Sequence, residues 1–232
     1  MPVVRPMWGT GRRCPIRRVH WSRQRARQVE IPALSRFHQV VRAGVVGQWL
    51  ADTRTRGRNM AQLTTCEVKL AALSDAPLIA RMSKSYIEQG LRWRWRAPQI
   101  RRKIACPDSV VLVAEIQSSG VARVGAFAVM DFISDAQRDK AILNLLAVHP
   151  KLRRNGVGGK LLAWLHDSAM VAGCEYIELQ VRADNQDARR FYRTLGYQDE
   201  ALLPGYYDGK VSAYQMKLRL RECGPPGALP PL

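Results

Sequence analysis

Between Leu146 and Leu162 an apolar run ends at Pro150, and a basic, glycine-rich turn leads into an amphipathic stretch. The turn reads Arg153-Arg154-Asn155-Gly156-Val157-Gly158-Gly159-Lys160. A turn of this kind at the mouth of a helix leaves backbone N–H groups unpaired and aims the positive end of the helix dipole outward, which suits a pyrophosphate. Glycines at 156, 158 and 159 let such a ligand approach the backbone with no Cβ in the way. No Lys-Ser/Thr pair follows Gly159, so a nucleoside-triphosphate loop is excluded. No Gly-x-Gly-x-x-Gly with an acidic residue about 20 positions on is present either, which excludes a dinucleotide fingerprint.

A second constellation, Asn185-Gln186-Asp187-Ala188-Arg189-Arg190-Phe191-Tyr192-Arg193-Thr194-Leu195-Gly196-Tyr197, lies about 30 residues on. Ala188, Phe191 and Leu195 recur at helical spacing and place Tyr192 at the edge of their stripe. Asn185 stands where a helix N-cap belongs.

Together these segments resemble the Gcn5-related N-acetyltransferase (GNAT) family. Its donor motif, Arg/Gln-x-x-Gly-x-Gly/Ala, is matched by Arg153, Gly156 and Gly158. Its Asn-x-x-Ala-x-x-Phe-Tyr-x-x-Leu-Gly element is matched from Asn185. The pattern is most similar to the branch that acetylates ribosomal-protein alanine termini. The resemblance implies acetyl-CoA as cosubstrate and no metal. The strand from Asn144 to Val148, with Leu146, Ala147 and Val148 as its cofactor-binding residues, would pair with the pantetheine arm, and the residues from Arg153 to Lys160 would cradle the pyrophosphate. Asn185 would touch CoA, a role that stands level with plain capping. The resemblance gives Tyr192 the role of serving the departing thiolate. A phenol of pKa about 10 facing a thiolate of about 8.5 acts there as a hydrogen-bond donor unless its pKa is lowered.

The base is less well specified. Related N-terminal acetyltransferases often carry Glu where this chain has Gln180, which cannot take a proton. Glu178, two positions earlier on the same strand face, is the candidate that could act through water, with Asp131 more remote. At pH 7, deprotonating a lysine costs about 4.6 kcal/mol and an α-amine only about 1.1 kcal/mol, so a site without a strong base favours a low-pKa amine. Tyr206 and Tyr207, expected in the loop between the last two strands, and Trp93 and Trp95, within the Arg/Trp alternation 90–96, are candidate acceptor-side residues. The alternation could stack on bases or grip an acidic substrate, but the two tryptophans read better as packing residues beside solvated arginines.

These residues need a scaffold, and the punctuation of the chain supplies one. A strand at 67–73 meets the helix-start signal Ser74-Asp75, and helix 76–89 stops at Gly90. Pro98 opens a second helix that ends before Pro107. Apolar runs 110–116 and 121–133 flank Ser118-Ser119-Gly120 as a hairpin, and 141–148 is a third strand after a polar turn at 134–140. Helix 157–172, strand 176–181, helix 185–195 and strands 197–202 and 211–220 follow. The order βααβββαβαββ predicts an α/β (α+β) fold, a mixed central sheet with flanking helices.

The chain of 232 residues has a net charge of +18, but residues 1–60 hold 13 Arg and no Lys against Glu30 and Asp52, a net +11. Residues 1–65 therefore read as a basic extension, 66–221 as the catalytic domain and 222–232 as a Pro/Gly tail. The extension has three open readings: a tail for phosphate polymers, a targeting peptide, or an upstream extension with Met60 as the true start. Nucleic-acid binding is expected only through it. Five scattered cysteines exclude a disulfide framework or zinc site and imply a reducing, cytoplasmic setting. No apolar run reaches membrane-spanning length. An enzyme acetylating a primary amine, on a small molecule or a protein N-terminus, by direct attack in a ternary complex is the leading reading. A catalytically weak CoA-binding or nucleic-acid-associated module is the other.

Overall fold

The structure is a computed structural model that describes residues 65–118, 121–134 and 139–220. The readings placed on residues 1–64 and 221–232 lie outside the described residues. The order is β1 (Thr65–Leu70), α1 (Ala76–Tyr86), α2 (Ala97–Ala105), β2 (Ser109–Ser118), β3 (Val121–Ser134), β4 (Asp139–Val148), α3 (Val157–Val171), β5 (Tyr176–Arg182), α4 (Gln186–Thr194), β6 (Gln198–Tyr207) and β7 (Val211–Arg219). That order is the expected βααβββαβαββ. The sheet runs β1-β2-β3-β4-β5-β7-β6, with only β4 and β5 parallel.

Both faces of the sheet are covered, which is why its central strands read as continuous apolar runs. Leu112, Met130, Leu143, Ile177 and Leu179 pack under α3 with Leu161, Leu162 and Leu165. Val111, Val113, Phe127, Val129, Leu145 and Ala147 pack under α1 and α2 with Ile79, Ala80 and Ile100. In α1, buried Ala76, Ile79, Ala80 and Ser83 recur at spacings of three and four, the stripe that sets this helix on the sheet.

Local chemistry shifts two boundaries. The first strand ends at Leu70 rather than residue 73, because Leu73–Asp75 forms a 3-10 turn in which the Asp75 carboxylate accepts the Ala72 N–H at 2.8 Å. Helix α1 ends at Tyr86 rather than residue 89. The N–H groups of Ile87 and Glu88 both bond the Ser83 carbonyl, and Gly90 at φ +77° starts the loop.

One irregularity makes the site. Val129 pairs with Leu145 and Met130 with Leu143, so Asn144 is an extra residue in β4. Such a bulge bends its strand and reverses the facing of the residues beyond it. Leu143 accordingly faces α3, whereas Leu145 faces α1 and α2. Pairing of β4 with β5 stops at Leu143 and Leu179, although β4 continues to Val148 and β5 to Arg182. The splayed ends open a cleft through the middle of the sheet.

Candidate active site at the splayed strands

On the α3–α4 side, β4 runs into a 3-10 turn at Pro150–Leu152. The Arg153 Nε donates to the Val148 carbonyl at 3.2 Å, which folds the turn back against its strand. Arg154 and Gly156 take φ values of +65° and +74°, and Gly156 caps α3 in the left-handed conformation. A cavity of about 700 Å³ opens there, lined by Leu146, Ala147, Val148, Arg153, Arg154, Gly156, Val157, Gly158, Gly159 and Asn185. Asn155 and Lys160 are exposed and stand outside that lining, because the left-handed turn and the first turn of α3 carry them to the outer side. Leu152, Asp187, Arg190 and Phe191 line it as well. Neither Arg190 nor Leu152 was marked in the sequence: Arg190 stands among the arginines of α4 with no signal of its own, and only the fold of the turn brings Leu152 back. Asp187 lies 2.7 Å from Arg190 and 3.5 Å from Arg154, and the Arg190 guanidinium foremost holds its carboxyl below the usual range.

On the α1–α2 side, a second cavity of about 510 Å³ is lined by Asn144, Gln180 and Arg182 from the sheet. The α1–α2 loop adds Glu88, Arg92, Arg94 and Trp95, the end of β6 adds Tyr206 and Tyr207, and the turn after it adds Asp208. The two tyrosines thus belong to β6 rather than to a loop. The register between β6 and β7 jumps between Leu203 and Tyr207, so the strand bulges outward there around Gly205 at φ +62°. The Tyr207 hydroxyl donates to the Gln180 carbonyl at 3.1 Å, and burial raises its pKa. Trp95 lines the cavity, but Trp93 does not: it packs on the α1–α2 core, with Lys84 Nζ 5.0 Å and Arg96 Cζ 5.5 Å from its ring centre.

The α1–α2 loop is tied down at three places. Buried Glu88 accepts the Arg94 N–H at 2.6 Å, the Trp95 N–H at 3.3 Å and the Ser83 hydroxyl at 3.0 Å. The Arg182 guanidinium donates to the Gln89 carbonyl at 3.0 Å while pairing with Asp184 at 2.8 Å. Asp208 accepts the Arg92 N–H at 2.8 Å and pairs with Arg94 at 2.7 Å. The Arg92 N–H foremost, then Arg94, holds the Asp208 carboxyl below its usual range. The loop is therefore strapped to β5 and to the β6–β7 turn across the slot. Nothing in the local sequence marked Glu88 for this, since its donors lie six and seven residues on in a loop with no periodic signal. Replacing Glu88 by Gln sets an amide nitrogen against N–H donors. Thermal melts should show a loss of about 2 kcal/mol, the cost of one buried unsatisfied group. The KM for the acceptor should rise while donor affinity holds.

The two cavities share five residues: Tyr86, Leu146, Asn185, Ala188 and Tyr192. Tyr192 is buried rather than at the edge of its stripe, with its ring centre 5.4 Å from Phe191 and 5.5 Å from Tyr197. The Tyr197 hydroxyl lies 3.0 Å from His166 Nε2, and burial lowers the His166 pKa, which keeps the imidazole neutral. Burial foremost pushes the Tyr192 phenol well above its ordinary pKa, so its proton stays in place. The Asn185 Oδ1 accepts the Ala188 N–H at 3.0 Å as an N-cap, and the residue lines both cavities. Tyr86, from the end of α1, went unnoticed in the sequence because nothing there tells a core aromatic from one at a junction.

Glu178 is placed differently. Its Oε1 accepts the Gln180 amide at 2.9 Å, its Oε2 lies 3.8 Å from Lys140, and it lines neither cavity. The β4–β5 pairing is still closed at its level, since Glu178 sits opposite Ile142 below the splay. Asp131 is bound by Lys103 and by the Ser109 hydroxyl at 2.6 Å, also away from the cleft. Among the described residues no cluster of three or more His, Cys, Asp or Glu could hold a metal ion, and no helix is long and apolar enough to cross a membrane.

Known proteins are similar to this chain in sequence and in fold. An uncharacterized N-acetyltransferase of Methanocaldococcus jannaschii is 43% identical over 82 residues, 34% of this chain and 53% of the relative. The alignment thus spans about half the length of that relative. The ribosomal protein bS18 alanine N-acetyltransferase of Escherichia coli is 33% identical over 99 residues, 41% of this chain and 64% of that protein. The crystal structure of the Escherichia coli S18-alanine enzyme superposes with a TM-score of 0.58 over 71% of this chain and 100% of that one, at 23% identity. Arabidopsis thaliana NAA60 in complex with acetyl-CoA gives 0.60 over 67% of this chain and 98% of that one, at 16% identity. The Acetyltransferase (GNAT) family model matches residues 79–197, from α1 through both cavities to Tyr197. With half of its length inside that match and the splayed strands at its centre, the chain belongs to the acetyltransferase (GNAT) family.

Proposed function

We propose that this protein is an N-acetyltransferase that moves the acetyl group of acetyl-CoA to a primary amine, the α-amine of a polypeptide terminus, by direct attack in a ternary complex. The observation that carries this reading is the meeting of two cavities at Tyr192, one entered past the glycine-rich start of α3 and the other beneath the strapped α1–α2 loop. The NAA60 complex with acetyl-CoA and the S18-alanine relatives support the donor and the class of acceptor.

In this reading the pyrophosphate lies at the first turn of α3, where the helix N–H groups face outward and Arg153 and Arg190 add positive charge. The thioester reaches the junction along the β4 edge that β5 no longer pairs. The neutral amine enters from the other cavity and attacks the carbonyl carbon. Free N–H groups of β4 near Leu146 suit the oxyanion that forms. As the C–S bond breaks, the sulfur accepts a hydrogen bond from the Tyr192 hydroxyl. The proton shed by the amine leaves through water in the slot. With Gln180 at the slot wall and Glu178 withdrawn, a low-pKa α-amine is the acceptor that needs least help. The alternative reading, a binding module with little turnover, is not favoured by these relatives.

Release of free thiol from acetyl-CoA, measured across a panel of small amines, lysine peptides and N-terminal peptides, tests the proposal. N-terminal peptides should turn over best, with a rate that rises through the α-amine pKa. Tight binding of acetyl-CoA with no turnover of any acceptor would overturn it.

A further inference from the structure

The segment that borders the acceptor slot, residues 76–105, carries eight basic residues against Glu88 alone, a net +7. Residues 61–232 as a whole carry 24 basic and 17 acidic residues, also +7. This segment alone thus equals the whole excess outside the N-terminal 60 residues; Lys103 is paired with Asp131 and Arg94 with Asp208, and Arg92 and Arg94 are the two of the eight that line the slot. Its single acid is buried and committed to loop N–H groups, so it does not offset the lip's outer charge. The carboxylates at the slot mouth are also engaged, Asp184 by Arg182 and Asp208 by Arg94. Arg92 lines the slot, is exposed, and meets no carboxylate within ion-pair distance among the described residues. One Asp208 carboxylate thus faces the charge of two arginines and contacts one of them.

We infer that the acceptor is a polypeptide with acidic side chains just after the residue that bears the amine, read by Arg92 and the exposed basic face of the lip. This rests on the N-terminal acetyltransferase reading above. A nucleic acid is the other polyanion that such a surface could meet, but single strands are held by free aromatic faces. The lip offers no run of exposed rings: Trp93 is covered by Lys84 and Arg96 and packs on the core, and Trp95 alone reaches the slot, half-buried against the same core. A peptide needs only charge at the rim and a narrow path for its amine, and the strapped slot supplies both.

Steady-state kinetics of the full chain test this with peptides that share an N-terminal Ala, Ser or Met and carry Asp, Ser or Lys at the second to fourth positions. At low salt the acidic series should exceed the basic one by about 10-fold in kcat/KM, falling to about twofold at 0.5 M salt as rim charges are screened. Arg92→Glu should bring the acidic-to-basic ratio to about one or below, mainly through KM. Equal turnover of all three series, or an unchanged ratio in Arg92→Glu, overturns the inference while leaving the N-terminal reading intact. Turnover of small amines with none of any peptide overturns both. Inhibition by a single-stranded RNA oligonucleotide, with no charge preference among the peptides, assigns the lip to nucleic acid and overturns it as well.

Discussion

Replacing Tyr192 by phenylalanine should lower kcat by about 10- to 100-fold while the KM for acetyl-CoA and the melting temperature stay close to those of the native protein. The range follows from losing one hydrogen bond to a charged group, about 1.5 to 3 kcal/mol. Stability should hold because the ring is what packs: Phe191 and Tyr197 meet it at 5.4 and 5.5 Å, and the substitution removes only the hydroxyl. The pH profile separates this role from a titrating acid. Burial raises the Tyr192 pKa, so the phenol is protonated throughout the range in which the enzyme can be assayed. The native protein should therefore show a rate that rises as the acceptor amine loses its proton and no falling limb up to about pH 10. A falling limb between pH 8 and 10 that vanishes in Tyr192→Phe would show that the phenol titrates, against the geometry. An unchanged kcat would remove Tyr192 from the chemistry altogether.

Replacing Gly158 by valine should raise the dissociation constant for acetyl-CoA by about 100-fold or more. A Cβ at this position would already lie 3.2 Å from the Phe191 ring and 3.5 Å from a Val148 methyl, where the start of α3 passes closest to α4 and β4. Two further methyl groups must either push α4 outward, an overpacking cost of about 1 to 3 kcal/mol, or enter the donor cavity. Gly159→Ala is the matched control, since a Cβ there meets nothing within 4 Å although the residue lines the same cavity. That variant should fold normally, and any loss of donor affinity would come from crowding the ligand alone. Isothermal titration with acetyl-CoA, paired with thermal melts, reads both effects. Donor binding by Gly158→Val equal to native would remove this cavity from the donor site.

The proposed donor half was legible because the features it rests on are local. A pyrophosphate cradle needs a strand end, a glycine-rich turn and a helix start, and those are consecutive residues whose types carry the conformation: Gly156 takes the positive φ that a side chain would resist, and Gly158 accepts Phe191 against its bare Cα. The element order was legible for the same reason, since period, caps and Gly or Pro punctuation are short-range signals. Where the boundaries moved, at Leu70 and Tyr86, a side chain competed with backbone pairing: the Asp75 carboxylate in the first case and the loop organised by Glu88 in the second.

The acceptor half was hidden because it is assembled from segments far apart in the chain. Glu178 and Gln180 look equivalent in a strand of alternating facing, yet the bulge at Asn144 ends the β4–β5 pairing at Leu143, so Gln180 lines the slot while Glu178 stays below it, bound to Lys140 and Gln180. Trp93 and Trp95 look equivalent in the Arg/Trp alternation, and only the fold of the loop over Glu88 decides which one reaches the cavity. The strap between Asp208 and the loop at Arg92 and Arg94 joins residues more than 110 positions apart, which no periodicity can announce.

Residue type and spacing thus specified the order of elements, the glycine-rich turn before α3 and the family element from Asn185 to Tyr197, because each depends on neighbours within a few residues. Only the folded chain buries Tyr192 at the meeting of two cavities, withdraws Glu178 and straps the basic lip over the slot. Burial, strand splay and charge pairing are properties of surfaces brought together by folding, and a chain carries no local mark of the residues that will come to lie beside it.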